Sequence, residues 1–216
     1  MSFKFLKNKY FLVFILITIL VAGGIFYWWQ QQKLTPPEEW DTAEVSQRED
    51  YAITQQEDGG LLVKNEKAGL SLELPEGWQF EEEYSQSSVS GGVSFASPDM
   101  TTGTSADVVV EGCRLKISVG EIKTDFETFK ENIEERIEEQ TSLNPAIVSE
   151  EINITEISNN QATKHLFKNE NLEMSFVRVG IPTEQRLYEL GVDAAIHQRN
   201  KCEKEFEKIL DTISIQ

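Results

Sequence analysis

The sequence predicts an α+β domain, an antiparallel sheet with helices packed against it, carried behind an N-terminal transmembrane helix. Three observations predict it. The stretch "FLVFILITILVAGGIFYWW", residues 11–29, holds no charge. Beyond it, short segments with period-two apolar alternation are interrupted by one amphipathic helical pattern and closed by another, so the order is strands, helix, strands, helix. A chain of 216 residues has room for one ordinary domain and an anchor.

At ~1.5 Å per residue a helix over 11–29 reaches about 28 Å, roughly the hydrocarbon thickness of a bilayer. Lys4, Lys7 and Lys9 precede it and the acidic residues follow it, which by the positive-inside bias leaves the N-terminus in the cytoplasm and exports the rest. Phe26, Tyr27, Trp28 and Trp29 then fall at the outer interface, where aromatic rings favour an anchor over a signal peptide cleaved near Gly23. The expected organisation is a short basic cytoplasmic segment (1–9), a signal-anchor helix (10–29), an acidic flexible linker containing Pro36-Pro37 (30–58) and an extracytoplasmic domain (59–216).

In the domain, "LLVKNEKAGLSLELP" reads as two strands around a turn, with Leu70, Leu72 and Leu74 on one face. "WQFEEE" and "GVSFAS" read as further strands separated by a Ser/Gly loop. "CRLKISVG" places Cys113, Leu115, Ile117 and Val119 on an apolar side and Arg114, Lys116 and Ser118 on a polar one, the pattern of a half-buried strand. A helix follows, with Thr124 and Glu127 at capping-box spacing and Phe126, Phe129, Ile133 and Ile137 along one face. "EINITEI", "NQATKHLFKN", "NLEMSFVRVG" and "QRLYELGV" then read as strands of a meander, turning at Asn159-Asn160 and at Asn169-Glu170-Asn171. The last helix has Asn200 and Glu203 at cap spacing and Cys202, Phe206, Ile209, Leu210 and Ile213 inward.

The other face of the first helix is acidic: Glu131, Glu134, Glu135, Glu138 and Glu139. Glu131 with Glu135, Glu134 with Glu138 and Glu135 with Glu139 repel at four-residue spacing, each pair costing roughly 0.2–0.5 kcal/mol. Such a face is ordinarily solvated; otherwise it would suit a basic partner or a loosely held cation.

The order of elements, with Pro75, Gly77 and Trp78 in "LPEGW", Phe95 and Pro98 in "SFASPD", and Asn160 and Ala162 in the hairpin, resembles the PsbP-like family, named for an extrinsic subunit of the photosystem II oxygen-evolving complex. The resemblance spans most of residues 59–215 and implies an α/β/α sandwich with a central antiparallel sheet. It also implies a place among the family's many exported bacterial members of unassigned role. No photosystem surface and no family metal site is carried over. The corner itself reads as architecture: Pro75 ends the ladder, Gly77 frees the turn and Trp78 closes the end of the core.

Chemistry is sparse. Four of the 20 basic residues (Lys4, Lys7, Lys9, Lys33) lie in the first 33, leaving 16 against 37 acidic residues, a formal −21 that repels phosphate backbones and excludes nucleic acid as a partner. His165 and His197 have no ligand-spaced companions and read as surface or turn residues. A nucleophile elbow, a P-loop and a dinucleotide fingerprint are all missing, and "SPDMTTGTSAD" departs from EF-hand spacing. No catalytic residue, metal ligand or cofactor is therefore assigned. Cys113 and Cys202 sit on apolar faces in the exported part, where they either bridge or stay as buried thiols. The expected function is a membrane-tethered, extracytoplasmic, non-catalytic binding or scaffolding module for a protein or envelope component. The alternative is an exported hydrolase working through carboxylates.

Overall fold

The computed structural model describes residues 45–82, 92–121 and 124–216, so the basic segment, the anchor and most of the linker lie outside the described residues. Among the described residues no helix is long and apolar enough to cross a membrane.

Order begins before the expected linker boundary at residue 58. Val45 bridges to Gly120, and the Ser46 N–H donates to the Val119 carbonyl at 2.8 Å. A 3-10 turn at Arg48–Asp50 then leads into strand β1 (Ala52–Gln55). None of the four β1 residues is buried, so the segment lacks the alternation that would reveal it.

Next come β2 (Leu61–Asn65), β3 (Leu70–Leu74), β4 (Gln79–Phe80), β5 (Val93–Ala96), a small hairpin of β6 (Thr101–Thr102) and β7 (Val109–Glu111), and β8 (Cys113–Gly120). Helix α1 (Phe126–Leu143) precedes the meander β9 (Ile147–Ile157), β10 (Asn160–Asn169), β11 (Met174–Pro182) and β12 (Leu187–Ala195); α2 (Arg199–Leu210) and β13 (Ser214–Ile215) close the chain. The central sheet is antiparallel with strand order β4-β5-β8-β12-β11-β10-β9, and a second antiparallel sheet runs β1-β2-β3-β13. This is the sheet-rich α+β architecture the sequence predicts.

Period-two geometry gives the central sheet two unlike faces. Phe95, Leu115, Ile117, Leu190, Val192, Val177 and Val179 point one way, into a core shared with Val63 and Leu72 of the small sheet and Phe206 and Ile209 of α2. α1 packs on the opposite face, where Phe129 is its one buried residue. The two sheets are also tied by the Tyr188 hydroxyl, which donates to the Ala68 carbonyl at 2.6 Å.

The helix starts differ from expectation. Asp125, not Thr124, caps α1, its side chain accepting from the Thr128 N–H at 2.9 Å. α2 begins at Arg199 behind a 3-10 turn (Ile196–Gln198) and has no side-chain cap, so the Asn200 and Glu203 spacing marks nothing. The β9–β10 turn is Ser158-Asn159, both at positive φ (50° and 63°), one residue earlier than read.

Cys113 and Cys202 form a disulfide with Cα atoms 5.5 Å apart, joining β8 to α2 through the dry face. The bond spans 89 positions of sequence, and in the chain-entropy account such a loop stabilises the fold by about 4–5 kcal/mol. Intact-mass measurement without reductant should find two hydrogens fewer than the reduced chain. Replacing both cysteines with alanine should lower stability to urea by about 2–5 kcal/mol.

Candidate functional site

The face under α1 carries polar side chains where a simple sandwich would be apolar. Register places Ser94, Lys116, Gly191, Arg178 and His165 in one row across β5, β8, β12, β11 and β10. Beside this row lie Arg114, Asp193 and Phe176 on one side, and Ser118, Glu189, Gly180 and Thr163 on the other. A cleft of about 350 Å³ separates the row, with Ser118, Glu189, Gly180 and Thr163 beside it, from Phe129, Ile133, Arg136, Ile137 and Gln140 of α1; Arg114, Asp193 and Phe176 do not line it.

Two glycines make the floor. A Cβ at Gly191 would lie 2.6 Å from Nη1 of Arg178, and one at Gly180 would lie 2.5 Å from Cζ of Phe129. Gly191 thus lets the Arg178 guanidinium cross β12, and Gly180 lets the helix approach the sheet.

Arg178 and Lys116 both ion-pair with Asp193, Lys116 at 2.8 Å, and Asp193 is only 1% exposed. Burial pushes the Asp193 carboxyl up, but the charges of Arg178 and Lys116 outweigh it and hold the group below its ordinary range. Arg114, also 1% exposed, was expected on a solvated side of β8; instead it is locked by Glu81, with Nε to Oε2 at 2.8 Å and Nη2 to Oε1 at 3.0 Å. The Ala106 carbonyl accepts from Arg114 Nη1, and Ser94 donates to Glu81. These pairs compensate the two buried charges, Asp193 and Arg114, with opposite charge.

His165 is a correction to the surface reading. It lies on β10, half-buried, stacked on Phe167 with ring centroids 4.9 Å apart, and Phe167 stacks on Phe176 at 4.8 Å. Arg178 sits over both phenyl rings. Burial and then the Arg178 charge push the imidazole down to about 4, so it is neutral at physiological pH. Ser149 Oγ lies 3.1 Å from His165 Nε2. A β-bulge on β9 puts it there: Phe167 is opposite Ser149 and Leu166 opposite Glu151, so Glu150 is skipped and pairs with Arg199 of α2.

Other expected residues stay apart from the cleft. Glu131, Glu134, Glu135, Glu138 and Glu139 are exposed on the outer face of α1. His197 is exposed in the 3-10 turn, 3.3 Å from Glu111. The "SPDMTTGTSAD" loop folds into the β6–β7 hairpin, with Asp99 bound to Lys201. Among the described residues no three His, Cys, Asp or Glu side chains are grouped to hold a metal. Sequence reasoning missed Glu81, Arg178, Asp193 and the two glycines; the available signals were glycines and an aspartate inside apolar strands.

No family model and no curated protein matches the chain. Solved structures do. Cyanobacterial PsbP (CyanoP) from Synechocystis sp. PCC 6803 superposes with a TM-score of 0.55 at 10% identity, over 74% of this chain and 95% of that one. LpqN of Mycobacterium tuberculosis, described as involved in cell envelope biogenesis, matches at a TM-score of 0.48 and 8% identity, over 82% of this chain and 94% of that one. The first likeness shows that the domain has a PsbP-like fold.

Glu81→Gln should cost about 3–5 kcal/mol in urea unfolding, because it removes the carboxylate charge paired with a buried guanidinium, whereas Glu81→Leu with Arg114→Leu should cost far less. The depressed His165 pKa has a defined sign: its contribution is complete above the unfolded value of about 6.5 and is lost as pH falls toward about 4, where the unfolded chain takes the proton first. The imidazole should titrate near pH 4 by NMR. Between pH 7 and 4, His165→Phe should lose less stability than the parent chain.

Proposed function

We propose that the chain is a membrane-tethered, extracytoplasmic, non-catalytic binding module whose working face is the cleft between α1 and the central sheet. The observation that carries this reading is the electrostatics of that cleft. Lys116 and Arg178 line it and both pair with the buried Asp193 carboxylate behind it, which is held ionised, while the lining imidazole of His165 is held neutral. Such an arrangement presents fixed charge to a ligand, which favours a binding face over the hydrolase alternative. Export is supported by the uncharged run at 11–29 and by the Cys113–Cys202 bridge, which persists in oxidising compartments. The PsbP-like fold is compatible with an accessory role but does not specify one.

The test joins topology to surface. Protease added to intact spheroplasts should digest the C-terminal domain. A photo-crosslinker at Gln140, on the cleft, should then capture a defined envelope component in the native membrane, while the same group at Lys208, on the outer side of α2, should not. Protection from protease would reject the exported reading. Equal capture from both positions would reject the cleft as the working face.

A further inference from the structure

We propose that the outer edge of β9 is a strand-addition site, which takes an extended basic segment of a partner protein whose lysines or arginines alternate with β-branched residues. β9 lies at one end of the seven-stranded sheet and, among the described residues, pairs only with β10. Alternate residues of such an edge turn their backbone N–H and C=O groups away from the sheet, where an incoming strand can bond them. The other edges of the two main sheets are short: β4 and β13 have two residues each and β1 has four, against eleven in β9. Two devices that usually blunt a long edge are missing, since β9 has no proline and no lysine. Its bulge, at Glu150, leaves the register with β10 unbroken from Glu151 to Ile157.

Charge decides the occupant. β9 holds Glu150, Glu151 and Glu156 and no basic residue. Glu150 pairs with Arg199, but among the described residues no cation pairs with Glu151 or Glu156. The lysines of the adjoining strand are engaged, Lys164 by Glu203 and Glu207 and Lys168 by Glu170. α1, which packs against β9 and β10, sets six glutamates against Lys130 and Arg136. A second copy would bring the same glutamates to the seam, on a chain of formal charge −17, so pairing of like edges is repulsive. A basic strand meets opposite charge instead. Apolar contact adds to this: Ile152 and Ile154 stand opposite His165 and Thr163 on the α1 face, and Ile154 is 55% exposed. A β-branched residue of the incoming strand beside Ile154 would cover it. Main-chain bonds along Glu151–Ile157 would supply the affinity, and the glutamates and Ile154 the choice of partner.

Fluorescence anisotropy and amide hydrogen exchange of the full chain in zwitterionic nanodiscs test this with three labelled peptides: KVTVKVTVK, EVTVEVTVE and KVTPKVPVK. The second reverses the charge of the first; the third keeps the charge but removes an N–H donor from each edge of the strand. KVTVKVTVK should bind about tenfold or more tighter than either of the others, and its binding should slow exchange of alternate β9 amides between Glu151 and Ile157. Ile154→Lys alters an exposed side chain and should weaken KVTVKVTVK about tenfold. Equal binding of the proline peptide, or binding without slowed exchange in β9, would reduce the interaction to charge alone and overturn the strand-addition site. Equal binding of the acidic peptide would overturn the basic assignment. Binding by none of the three would overturn the site altogether. Slowed exchange in β9 that grows with protein concentration in the absence of peptide would replace the basic partner with a second copy of the chain. None of these outcomes bears on the cleft, which the Gln140 crosslinks decide.

Discussion

A carboxylate in the middle of a seven-stranded sheet, 1% exposed, has to be neutralised where it stands. Desolvation penalises an isolated charge there by several kcal/mol, so Asp193 requires Lys116 and Arg178 to converge on it from the flanking strands β8 and β11. That requirement propagates. Arg178 can reach Asp193 only by crossing β12 at Gly191, where a side chain would collide with it. Its extended path then covers Phe176 and Phe167, and its charge helps keep His165 neutral. One buried anion thus organises a cationic and aromatic surface over three strands.

The opposite face obeys different physics and leaves the α1 face free to be polar. There the central sheet, the small sheet and α2 share one dry core, and the Cys113–Cys202 bond pins α2 to β8. α2 buries Cys202, Phe206, Ile209 and Leu210 over twelve residues; α1 buries only Phe129 over eighteen. Repulsive glutamate pairs and acidic residues near its C-terminus weaken α1 further, offset in part by the Lys130–Glu134 pair at 3.8 Å. Stability therefore resides in the small sheet, α2 and the disulfide. The helix that roofs the cleft is the less firmly held of the two, as befits an element beside which a ligand enters.

Much of this architecture was legible in the sequence because it rests on periodicity. The alternation of "CRLKISVG" located β8 and its apolar side, and the three- and four-residue spacing of Phe206, Ile209 and Leu210 located α2. The cysteines could be paired in prospect because both fell on apolar faces. The site was far less legible. β1 has no buried residue and so no pattern, and Arg114 and His165 were placed toward water because polar residues on an alternating strand ordinarily go there. Their burial depends on partners distant in sequence: Glu81 lies 33 positions from Arg114, and Arg178 faces His165 only through the β10–β11 register. Local pattern carries no information about such pairings.

What betrays the site is departure from the pattern. Gly180 and Gly191 interrupt strands whose other inward positions are filled, and each marks a place where another group must come close to the backbone. The bulge at Glu150 breaks the period of β9 at the point where strict alternation would set a carboxylate beside Phe167 and His165. Asp193 places a charge within a run of buried residues in β12. Each departure weakens the sheet locally: lost side-chain packing, an unpaired residue, a desolvated charge. All three fall on the α1 face, around one cleft, while the dry face keeps its alternation. A defect that served only packing would be expected on either face. Their concentration on the face with the lighter roof is the strongest structural reason to regard that face as the one that does the protein's work.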